Sequence, residues 1–188
     1  NNACQTVRRP PEFYAHMMAA EQALHRHVDD HRAQAVAAGQ GDDHLAVDQA
    51  GGDAANLARH RTDRQRQAVV WDGQGRHAIT RAHVLENYGQ GAASLIECWL
   101  ETGRTHQIRV HMAHIGNPLV GDQEYGAAFK TKANLLPEDA KRAVNKFHRQ
   151  ALHAYLLAFE HPTTGKTMRF EAPIPADLQK VIDALKAI

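Results

Sequence analysis

The stretch LETGRTHQIRVHMAHIGNPLVGDQEYG, from Leu100 to Gly126, holds two arginines, three histidines and four glycines, with few bulky residues to fill a core. Such a set invites metal ligation, nucleophilic catalysis or anion binding. His106, His111 and His114 are five and three positions apart, which is not the HExxH arrangement, and no cysteine or carboxylate pair joins them, so no metal is expected. A phosphate-cradling P-loop needs glycines before a Lys-Ser/Thr pair, and TGRTHQIR has none. A serine hydrolase needs its nucleophile on a sharp turn, and the one serine of the chain, Ser94, lacks that setting. Anion binding remains. TGRT reads as a helix N-terminus, where free N–H groups favour negative charge, and arginine makes bidentate contacts to phosphate or carboxylate. Arg109 stands inside a half-apolar helix, so an acid or a phosphate is expected beside it.

The elements that must position these groups follow from pattern. Thr105 is expected to cap a helix over HQIRVHMAHI, with Ile108, Met112 and Ile115 as its apolar stripe and Gly116 as its stop. Before it, HAITRAHVLENYG and ASLIECWLETG read as a hairpin, in which Ile96, Cys98 and Leu100 face one way and Leu95, Glu97 and Trp99 the other. PEDAKRAVNKF opens with proline and two acids, as a helix does. ALHAYLLAFE and TMRFEAPI form a second predicted hairpin, with Leu152, Ala154 and Leu156 set opposite Met168, Phe170 and Ala172. PADLQKVIDALKAI closes the chain as an amphipathic helix with Leu178, Val181, Ile182 and Leu185 inward. Hairpins are as frequent as helical connections, which predicts an α+β fold: a mixed, mainly antiparallel sheet with packed helices.

The 188 residues suit one domain, and 43% hydrophobic with 23% charged residues is a globular balance. Cys4 and Cys98 alone make neither a disulfide framework nor a zinc site. No apolar run reaches membrane-spanning length, and a soluble, cytoplasmic protein is expected. The net charge of +1 gives no global attraction to nucleic acid, so any basic face must be local. Between Tyr14 and Trp71 there is no aromatic residue and large aliphatics are sparse. Residues 1–52 are therefore expected to be an irregular N-terminal arm, distinct from 53–188.

The Leu100–Gly126 stretch closely resembles the C-terminal signature of the RluA/RluD-type RNA pseudouridine synthases. RHRTDRQRQAVV is similar to the family's basic loop, and the two hairpins to the strand pairs flanking the signature, so the likeness runs from about Gly52 to Ile188. The resemblance implies a pseudouridine synthase-like fold, incomplete here, and an isomerase without cofactor. Such an enzyme flips a uridine out of RNA, breaks its N1–C1′ bond and rejoins the base through C5. It implies large-subunit (23S-type) ribosomal RNA as partner; a monomer is expected, though no feature of the sequence fixes the oligomeric state. The family's basic residue, partner of a catalytic aspartate, falls on Arg109, where a fixed guanidinium would keep a buried carboxylate ionised. Arg104, His106, Gln107 and His111, with Arg64 and Arg66 of the basic loop, are assigned to shaping the site or binding RNA. The aspartate segment, HRLD-x-x-T-S/T-G, has no counterpart. His25-Arg26 continues as HVDDHRAQ, and Asp29 and Asp30 do not fit the motif. The aspartate therefore stays unassigned, and the segment before about Asp53 is read as disordered or frameshifted. The chain is read as truncated or impaired, with an RNA-binding module lacking activity as the alternative. Arg109 is then expected in an open pocket or borrowed by Asp122 or Glu101. Arg59, Arg61, Arg64, Arg66, Arg104 and Arg109, with Lys130 and Lys132, are expected to form a basic face.

Overall fold

The computed structural model describes residues 30–39, 45–46, 56–60, 62–63, 66–70, 75–127 and 129–188. Alternating side chains dictate the larger sheet, whose strands lie in the order β2 (Leu45–Ala46), β6 (Thr80–Tyr88), β7 (Ala93–Leu100), β1 (Asp30–Ala38), β8 (Leu152–Glu160) and β9 (Thr167–Glu171). A smaller sheet sets β3 (Asn56–Arg59) between β4 (Gln67–Val70) and β5 (Arg76–His77). Every described pairing is antiparallel. The α+β architecture expected from the pattern is the one found.

Both faces of the larger sheet are covered, because its central strands are apolar on both sides. One face puts Ala33, Ala35, Ile96 and Cys98 against Ile108 and Met112 of α1 (Gln107–His114). The other packs Val36 and Leu95 against α2 (Phe129–Ala133), α3 (Glu138–Asn145) and α4 (Ala176–Lys186). Leu178, Val181, Ile182 and Leu185 of α4 are all buried as predicted, each worth about 1.5–3 kcal/mol of transfer free energy. A third cluster of Leu57, Ala78, Val110 and Tyr125 joins the far side of α1 to the smaller sheet. Helix α1 is thus wedged between two sheets, and this holds its polar residues in place.

Three sequence expectations need correction. The irregular arm fails for Asp30–Ala38, which is a central strand paired with β7 on one side and β8 on the other. Its alanines misled because a strand buried between two neighbours needs small side chains where a helix presses close. Ala35 and Ala38 are fully buried. The rest of the expected arm, apart from Leu45–Ala46, lies outside the described residues. Thr105 does not cap α1. His106 occupies the N-cap position in a left-handed conformation (φ 57°), without a side-chain cap bond. The second hairpin forms, but its register sets Leu157 opposite Phe170 and Phe159 opposite Met168, leaving Leu156 opposite Glu171.

Candidate functional site

Arg109 projects from the first turn of α1, and the chain returns to meet it at the Gly121–Gly126 turn. Its Nε donates to Asp122 Oδ2 at 2.7 Å, and its Nη2 to Asp122 Oδ1 at 2.8 Å and Glu124 Oε2 at 3.1 Å. The Asp122 side chain has no solvent exposure and that of Arg109 only 12%. Asp122 Oδ1 also accepts the backbone N–H groups of Glu124 (2.9 Å) and Tyr125 (3.0 Å). Burial pushes the Asp122 carboxyl upward, but the Arg109 hydrogen bond and the two backbone N–H groups outweigh it, so its pKa lies below the ordinary value. The Asp122 hydrogen bond in turn raises Arg109. The turn needs Gly121: its φ is +72°, and a Cβ there would stand 2.2 Å from the Arg149 carbonyl oxygen.

Tyr125 is the hub of the cluster. The Arg109 and Arg66 guanidinium carbons lie 4.8 and 5.0 Å from its ring centroid. Its hydroxyl accepts the Gln67 backbone N–H at 2.9 Å and shares a hydrogen bond with His106 Nδ1 at 3.2 Å. The left-handed turn at His106, which displaced the expected cap, brings this ring to Tyr125 and within 3.6 Å of Glu124. Burial lifts the Tyr125 phenol above its ordinary pKa, so it stays neutral. Arg66 Nε is buried and has no hydrogen-bond partner among the described residues.

The remaining predicted residues divide. Gln107 and His111 are buried, at 3% and 0% exposure, which corrects any reading of them as RNA contacts. Gln107 Nε2 donates to the Ile79 carbonyl (2.8 Å) and the Thr80 hydroxyl (3.0 Å), while its Oε1 accepts from Thr102 Oγ1 (2.8 Å) and the Arg104 N–H (3.0 Å). That amide oxygen stands where an anion was expected at the helix entrance. His111 Nδ1 bonds the Thr80 hydroxyl at 3.0 Å, and its Nε2 has no partner among the described residues. Burial lowers its pKa to about 4, so it is neutral. Both side chains fasten α1 to β6. Arg104 reaches the His77 carbonyl at 3.1 Å and remains near the surface.

Arg61, Arg64 and the Lys130 side chain lie outside the described residues. Lys132 bonds Gly116 and Asn117 beyond the C-terminal end of α1, away from Arg104 and His106 at the other end, so it does not extend one basic face with them. Glu101 pairs with Arg81, and of the two acids expected for Arg109 it is Asp122 that engages it, together with Glu124. Asp30 opens β1 opposite Ala158, and Asp29 lies outside the described residues. Sequence reasoning missed Tyr125 and Glu124. The two glycines bracketing them were the available signal of a tight return.

Comparison with known proteins identifies the family and the fold. A family model described as RNA pseudouridylate synthase matches residues 12–114, including much of the segment expected to stand apart. Ribosomal large subunit pseudouridine synthase D of Haemophilus influenzae is 46% identical over 131 residues, covering 70% of this chain and 39% of that protein. The uncharacterized RNA pseudouridine synthase YlyB of Bacillus subtilis is 45% identical over 132 residues, covering 70% and 38%. The chain thus spans about two-fifths of the length of these relatives. Human RNA pseudouridylate synthase domain containing 4 shares the fold, with a TM-score of 0.64 at 18% identity over 93% of this chain and 68% of that one.

Proposed function

Because the chain belongs to the RNA pseudouridylate synthase family, we propose that it isomerises uridine to pseudouridine in RNA, with large-subunit ribosomal RNA as its substrate. In this reading it works as a monomer in the cytoplasm. The supporting observation is the Arg109 guanidinium, held at one geometry by Asp122 and Tyr125. A cation fixed in this way keeps a neighbouring carboxylate ionised and needs no reorganisation when charge develops nearby. Arg66, Arg104 and His106 gather at the same end of α1 and supply donors for phosphates. Gln107 and His111 hold α1 in register beneath them.

A second reading, RNA binding without chemistry, is favoured by one feature. The Asp122 carboxylate spends its lone pairs on Arg109 and two backbone N–H groups and has no exposed surface, so it is not the carboxylate that attacks a uridine. Among the described residues Glu124 is the other acid on Arg109, and it too is engaged. Tritium release from 5-³H-uridine in an unmodified ribosomal RNA fragment separates the readings. Release that disappears in Arg109→Met supports isomerisation. Salt-dependent binding with no release supports the second reading, and the absence of both defeats each.

A further inference from the structure

Behind the turn that clasps Arg109 lies a cavity of about 280 Å³, bounded by the Gly121–Ala127 turn, the start of α2 and the C-terminal end of α3. Its floor is apolar: Phe129, Val144 and Phe147 are each less than a tenth exposed. Its rim carries Gln123, Asn145 and His148, all exposed. Gln123 donates Nε2 to the Gly121 carbonyl at 3.2 Å, which leaves its amide oxygen unspent among the described residues. The side chains of Asn145 and His148 have no hydrogen-bond partner there either. Among the described residues no lysine or arginine lines the cavity. Arg149, stacked on Phe147, is paired with Asp177 at 2.8 Å, and the Asp122 carboxylate is neutralised by Arg109.

We infer that this cavity binds a single nucleobase of the RNA, one extruded from the stack beside the target uridine. The inference rests on reading the chain as a protein that acts on RNA. The chemistry selects the ligand. An apolar floor with amide and imidazole groups at the rim suits a flat, neutral ring whose edge presents a donor beside an acceptor. Among the described residues no cation lines the cavity, which disfavours a phosphate. The volume falls just below the roughly 300–1,000 Å³ of drug-sized sites, which limits the occupant to one ring system. The same turn forms the wall of this cavity and, on its other side, the acid clasp on Arg109. An occupied pocket therefore braces Asp122 and Tyr125, and base recognition here is felt at the candidate site.

Saturation-transfer NMR with free uridine and adenosine at millimolar concentration tests this on the chain as it is. Transfer to the base protons is expected, and Ala127→Trp, which fills the cavity from an exposed position, should weaken binding at least tenfold. Asn145→Ala and His148→Ala, both on the surface, should each weaken it severalfold with an unchanged thermal midpoint. No transfer to the intact chain, or transfer that survives Ala127→Trp, would each overturn the assignment. Nucleoside binding is read without turnover, so failure of the isomerase assay leaves this result standing, and the reverse also holds.

Discussion

Removing Arg109 tests whether the cluster is built as described. Arg109→Ala leaves the Asp122 carboxylate, with no exposed surface, supported only by the backbone N–H groups of Glu124 and Tyr125. Breaking a buried ion pair from one side costs about 3–5 kcal/mol, because the surviving charge is stranded. For a chain of this length each kcal/mol moves the thermal midpoint by about 2–4 °C, so a drop of roughly 6–20 °C is expected. Circular dichroism melts at pH 7 measure it. The sign with pH follows from Asp122, whose folded pKa is depressed. Its stabilisation is present above the unfolded value of about 3.9 and is lost as pH falls through the folded one. In Arg109→Ala the stranded carboxyl takes up a proton more readily, so the gap between variant and wild type should narrow in acid. Arg109→Met/Asp122→Leu should recover part of the loss, with a coupling above about 1 kcal/mol in the double-mutant cycle. Recovery stays incomplete because the Glu124 and Tyr125 N–H groups lose their acceptor. A midpoint within 2 °C of wild type, or strict additivity, would refute the clasp.

Four further outcomes follow from the same geometry. His111, with its pKa lowered to about 4 by burial, binds its proton more weakly folded than unfolded. Stability should fall as pH drops from about 6.5 towards 4, by on the order of 3 kcal/mol in total, and urea titrations of His111→Leu should show a flatter profile over that window. Gly121→Ala must bend a φ of +72° and a Cβ 2.2 Å from the Arg149 carbonyl oxygen, and should lower stability by roughly 1–3 kcal/mol or more; a wild-type melt would show that the turn yields freely. If Arg66 contacts a phosphate, Arg66→Ala should reduce the slope of log affinity against log salt by about 1, read by filter binding, and an unchanged slope removes Arg66 from the interface. The Cys98 thiol, fully buried and pushed up to about 12 chiefly by burial, should resist a thiol reagent until the chain unfolds; rapid labelling of native protein would contradict its placement.

The sequence alone determined the elements whose signal is local. The β6–β7 and β8–β9 hairpins, the α3 and α4 helices and the stop at Gly116 follow from alternation, helical spacing, proline and glycine, forces that act within a few residues. It also singled out Arg109 and the need for an acid beside it, because a guanidinium in a half-apolar helix cannot be left unpaired. Tertiary structure decided the rest. That an alanine-rich run at Asp30–Ala38 is a central strand depends on β7, β8 and α1 closing around it, and no property of the run itself reveals neighbours more than fifty residues away. The choice of Asp122 over Glu101 was likewise beyond the sequence, since both acids lie within reach along the chain. Arg81 claims Glu101 across one strand end, and Gly121 turns the backbone so that Asp122 meets Arg109 out of water. His106, Gln107 and His111 read alike as polar signature residues. The wedging of α1 between two sheets buries two of them against Thr80 and leaves the third beside Tyr125, because burial is a property of the packed assembly rather than of the residue.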